Sequence, residues 1–156
     1  MDANHLHLLL NHFPIVGSLI GTALLTWAVV KKNSSLRSAA YTILVAMALI
    51  AIPVFRTGEP AEESVEHLTD VSHDMIEAHE DAAKSALVAI ELAGTLCLVG
   101  LFADRRHHPR SSTIGIVSLG VTLVACGMMA YAGNLGGQIR HSEIRTGSST
   151  IPSHEK

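Results

Sequence analysis

Four apolar stretches, roughly residues 13–30, 39–55, 85–103 and 113–132, limit what this chain can fold into. Each is close to the ~20 residues that an α-helix needs to cross ~30 Å of hydrocarbon. Strands are a poor alternative, because the runs are rich in Ala, Leu and Gly and show no alternation of polar and apolar residues. A helix also satisfies its own backbone hydrogen bonds, which lipid cannot do for it. The expected fold is therefore all-α, a bundle of four transmembrane helices occupying residues 1–145, with 146–156 as a polar, disordered tail. Composition agrees: charged residues make up 16% of the chain and mean hydropathy is +0.34, whereas an ordinary soluble domain carries about 25% charge. The formal net charge is −3, so nucleic acid is excluded as a partner for want of a basic surface. The two cysteines, Cys97 and Cys126, sit inside apolar runs and read as small apolar fillers. No CxxCH occurs, which removes covalent c-type haem.

The connections carry the orientation. Lys31, Lys32 and Arg37 lie between the first two stretches, and Arg105, Arg106 and Arg110 between the last two. Together they are six of the eleven basic residues. The positive-inside rule makes those turns cytoplasmic. Both termini and the 56–84 connection then face outward, into the periplasm of a bacterium. The leader Met1-Asp2-Ala3-Asn4 holds no Lys or Arg and no small-residue cleavage site follows, so the first stretch reads as a span and not as a secretory signal. The long connection has nine acids against two bases. Pro60, behind Thr57-Gly58-Glu59, suits the first position of a short helix running to about Leu68. Ser72 suits the cap of a third helix that projects two to three turns beyond the lipid. Gly133, Gly136 and Gly137 read as the end of the fourth.

On this topology eight of the ten histidines collect at the outer face: His5, His7, His12, His67, His73, His79, His141 and His154. Twelve of the fourteen acids lie there too. His12 opens the first span, His79 leads into the third and His141 follows the fourth. A bundle brings such ends within reach of one another, and imidazoles meeting carboxylates at one boundary can hold a metal ion or a haem. A solvated position is the simpler account of His5, His7, His73 and His154, and an interfacial anchor competes as the reading of the other three. Ala82, Ala86, Ala89, Ala93 and Gly100 make a small-residue stripe on the third helix, open to another helix or to a flat macrocycle. Glu80, Lys84 and Glu91 fall nearly in line on a different side. Glu91, inside the lipid, has to be paired, protonated or functional. The aromatics, Phe13, Trp27, Tyr41, Phe55, Phe102 and Tyr131, fit interfacial anchoring and form no evident quinone pocket.

The segments HLLLNHFPIVG, TGEPAEESVEHL, IEAHEDAA and GNLGGQIRHSEI resemble a bacterial family of small four-helix membrane proteins of unassigned function. Relatives in that family lie near, or are fused to, redox modules such as Rieske-type ferredoxins. The resemblance runs from about His5 to Glu143. It implies a redox-linked membrane protein similar to a b-type cytochrome, with His12, His79 and His141 as the matching histidines. Glu59, Glu63, Glu80 and Glu143 are the acids within the matching segments. Transmembrane b-type cytochromes usually place histidine pairs within the spans, and here no histidine lies mid-helix, so any haem belongs near the outer boundary.

The leading expectation is thus an electron-transfer subunit, more than a stand-alone enzyme, binding haem b beside the periplasm. His12 with His79 is the preferred axial pair and His141 the alternate. Arg56, Arg140 and Arg145 suit the propionates, because guanidinium matches carboxylate geometry. Electrons would pass to or from quinol or a periplasmic redox protein. The rival expectation is a non-haem iron, zinc or copper site built from His12, His79, His141, Glu59, Glu63, His67 and Glu80. Glu63 and His67 would share one helix face at i and i+4. A structural subunit of a larger membrane complex is the third.

Overall fold

A computed structural model of the chain describes residues 10–58 and 73–140. Four helices account for nearly all of them: α1 (His12–Val30), α2 (Ser34–Arg56), α3 (His73–Arg105) and α4 (Ser111–Arg140). Each is long and apolar enough to cross a membrane. They pack in a ring, α1 on α2, α2 on α3, α3 on α4 and α4 back on α1. Successive helices run antiparallel, an up-down-up-down arrangement in which the α1–α2 and α3–α4 connections are short.

The bundle is apolar on both sides of each helix, with the smaller residues inside. The core between the helices is built largely from Ala28, Ala40, Ala48, Ala51, Ala86, Ala93, Ala125 and Ala132. The outward positions hold Phe13, Leu19, Ile20, Trp27, Leu49, Val88, Leu92, Ile116 and Val124. A helix hydrophobic all round belongs in lipid. There no hydrophobic force drives helices together, so small residues that allow close backbone approach stabilise the interfaces. The GxxxG of α1 serves this purpose: Gly17 lies against Met47, and Gly21 against Leu44, both on α2. Gly94 of α3 meets Ala48, so that an added Cβ would come within 2.5 Å of the Ala48 Cβ. The alanine stripe of α3 takes part in the same packing, with Ala86 and Ala93 buried in the core.

Three expectations change. The second helix starts ahead of the apolar stretch expected at 39–55. α2 begins at Ser34, capped by the Asn33 side chain, whose Oδ1 accepts the Leu36 N–H at 2.9 Å. Arg37 therefore falls in a helical turn and is 5% exposed. It forms a two-pronged ion pair with Asp104 of α3, which is 8% exposed. Tyr41 is no interfacial anchor. It is fully buried, its ring fitted against Gly100 of α3 and its hydroxyl 3.3 Å from where a Gly115 Cβ would stand on α4. Gly133 and Gly136 do not end α4, which continues to Arg140. These two are spacers: a Cβ at Gly133 would touch Ile15, and one at Gly136 would press on His79. The short helix expected to start at Pro60 lies outside the described residues.

Candidate functional site

The start of α1, the end of α2, the outer turns of α3 and the last turns of α4 come together at one end of the bundle. Small core side chains leave space there, and a cavity of about 410 Å³ lies among all four helices, open on one side. Small-molecule sites typically span ~300–1,000 Å³. Ile15, Ala51, Val54, Ala86, Ile90, Met129 and Ala132 supply apolar wall, while Asn11, Arg56, His79, Glu80 and Lys84 supply the polar groups.

His79 is the histidine in that wall. Its Nδ1 lies 2.9 Å from the Ala132 carbonyl oxygen on α4. A carbonyl only accepts, so Nδ1 carries the proton and donates, which leaves the lone pair on Nε2. The ring also rests on Gly136, where a Cβ would stand 3.0 Å from Cε1, 3.3 Å from Nδ1 and 3.5 Å from Nε2. Ala132 and Gly136 are one helical turn apart. The imidazole is thus fixed in tautomer by one residue and in plane by the next residue on the same face. This is how a ligating histidine is commonly oriented, through a hydrogen bond from its other nitrogen.

Around it the charges are partly spoken for. Lys84 Nζ lies 2.9 Å from Glu80 Oε1 and 3.7 Å from Asp81 Oδ1, all on α3, with Lys84 and Asp81 exposed and Glu80 partly so. Exposed pairs of this kind are screened by water and contribute little to stability. Lys84 is therefore engaged with the residues before it. Arg56, the last residue of α2, is exposed at the cavity's edge. The Asn11 Oδ1 is buried and has no hydrogen-bond partner, an acceptor in the wall that an occupant can satisfy.

Of the residues expected at the site, the structure brings His79, Glu80 and Arg56 to one cavity. His12 is at the same end but exposed, and the wall is formed by its neighbours Asn11 and Pro14. Arg140 closes α4, and its side chain is outside the description. Glu59, Glu63, His67, His141 and Arg145 also lie outside the described residues. Among the described residues no three His, Cys, Asp or Glu side chains stand together as an ion would require. Sequence reasoning missed Asn11, Ala132 and Gly136. Only the spacing of Gly133 and Gly136 with Ala132 hinted at a thin helix face, and it was equally legible as a stop signal.

No protein-family model matches the chain, and no curated protein and no solved structure is detectably similar to it.

Proposed function

We propose that this membrane protein carries electrons through a b-type haem held in the cavity, where His79 Nε2 would ligate the iron. The observation that carries this reading is the His79 imidazole, fixed by Ala132 and Gly136 in the wall of an apolar chamber. A porphyrin supplies four nitrogens of its own and asks the protein for one or two more. A bare ion asks for three or four protein ligands, whereas the described residues offer the chamber one oriented histidine in an apolar setting, which suits the macrocycle. The open side of the chamber and Arg56 at its edge suit the propionates. Once bound, the haem supplies a one-electron couple; the protein's part is to orient the imidazole, exclude water and pair the propionates. His12, the preferred second ligand, sits at the same end on α1, and His141 follows α4 directly in the sequence.

The reading places the cavity end toward the periplasm of a bacterium. Its support is the concentration of Lys31, Lys32, Arg105, Arg106 and Arg110 at the opposite end, together with the family resemblance. Quinol or a periplasmic redox protein would exchange electrons at the cavity end.

A reduced-minus-oxidised spectrum of the purified protein, with metal analysis, tests the proposal. Soret and α-bands that vanish in His79→Ala and persist in His107→Ala are expected. Loss of the second ligand alone would keep the haem bands but turn a six-coordinate low-spin spectrum five-coordinate, and comparing His12→Ala with His141→Ala tells which residue supplies it. Stoichiometric metal without haem bands would replace the haem by the His and carboxylate site. The absence of both would leave a structural subunit.

A further inference from the structure

Glu91 lies on α3 seven residues past Lys84, about 10 Å further along the axis into the bilayer at 1.5 Å per residue. Its Oε1 is buried without a hydrogen-bond partner. The Thr95 hydroxyl one turn on donates to the Glu91 backbone carbonyl at 2.8 Å, leaving the carboxyl unserved. The cation best placed in sequence to neutralise it, Lys84, is held by Glu80 and Asp81. The helices packed on α3 offer no charge at this depth. Between Tyr41 and Arg56, α2 has no titratable residue, and within α4 only Cys126 and Tyr131 titrate before Arg140. Cys126 Sγ lies 3.3 Å from the Thr22 hydroxyl of α1 and shares a hydrogen bond with it. On α3 itself the next titratable group inward is Cys97, buried in the core.

An ionised carboxylate without a countercharge costs several kcal/mol in hydrocarbon, and such a residue is expected to pair, to neutralise or to act on a proton. Among the described residues no charged partner for the Glu91 carboxyl stands on the packed faces of α3. We infer that Glu91 is a proton-binding site within the lipid layer, its carboxyl carrying a proton at neutral pH. This assignment is independent of any cofactor in the cavity.

Carbodiimide labelling of the full-length protein in lipid vesicles at neutral pH tests it. A protonated carboxyl adds its O–H across one C=N bond of the reagent, the oxygen to carbon and the hydrogen to nitrogen. Lipid-soluble dicyclohexylcarbodiimide is expected to modify Glu91, read by peptide mass spectrometry, while a water-soluble carbodiimide modifies Glu77 and Asp81 and spares Glu91. The infrared carbonyl band of a protonated carboxyl should be present in the native protein and lost in Glu91→Gln. Failure of the lipid-soluble reagent to label Glu91, or a band unchanged by the substitution, would overturn the assignment. The labelling arm needs no variant, so a poorly folding Glu91→Gln leaves the test intact.

Discussion

At the residue scale, two side chains have tasks that their neighbours determine. Arg37 and Asp104 are both almost completely removed from solvent, so each depends on the other for its charge. Asp104→Ala leaves a guanidinium with no counterion and should lower stability by about 3–5 kcal/mol, the usual effect of removing one partner of a buried pair. The midpoint of unfolding in detergent measures it. Arg37→Lys keeps the charge and loses the planar fork, so a smaller loss is expected. His79 depends on a glycine in the same way. Gly136→Ala sets a methyl 3.0 Å from Cε1, tighter than the ring can accept without shifting. A ring shift of a few tenths of an ångström strains its 2.9 Å contact with Ala132. On the proposed haem function, the expected outcome is an altered haem spectrum with helix content unchanged, checked by absorbance beside circular dichroism.

At the scale of the element, the glycines divide by what faces them. Gly94 and Gly100 on α3 meet Ala48 and Tyr41 on α2, and a Cβ at either would come within 2.5 Å of a buried neighbour. Alanine at these positions has to separate two packed helices and should cost about 1–3 kcal/mol, as overpacking generally does. Gly120 and Gly127 on α4 have nothing within 4 Å. Alanine there creates no clash and removes a flexible residue from a helix interior, for an expected gain of up to ~1 kcal/mol. A set of four single variants, followed by thermal unfolding in one detergent, checks both halves of the prediction. Equal effects at all four would mean that the helices pack differently.

Across the whole molecule, the antiparallel ring puts the 31–33 and 106–110 turns at one end and Asn11, Arg56 and His79 at the other. Single cysteines at Lys32 and His108 should react with a membrane-impermeant thiol reagent from one side of sealed vesicles. A cysteine at Arg56 should react from the other side. Cys97 and Cys126 would first be replaced. Reaction of all three positions from the same face would reject the four-crossing topology. Exposed aromatics fit this arrangement at both boundaries: Trp27 lies under the Lys31 ammonium, 5.1 Å from Nζ to the ring centroid, and Tyr131 faces outward near the opposite end.

The number of helices, their approximate bounds and their antiparallel order were legible along the chain. Hydropathy over some twenty residues and the length of a connection are one-dimensional quantities, and the requirement that backbone groups bond within a lipid-facing segment leaves a single secondary structure. His79, Glu80 and Arg56 were legible as residues at one boundary for the same reason. What the chain could not disclose was which side of each helix meets which neighbour. Arg37 resembled every other base beside an apolar run until Asp104, 67 positions away, was placed against it. Gly136 read as a helix stop until an imidazole from α3 was seen lying on it. Ion pairs, ring contacts and cavity walls depend on helix rotation and lateral spacing. In a bundle hydrophobic on all sides, the small-residue stripe of α3 marked a face open to close packing but not which neighbour meets it, so packing decided the pairing.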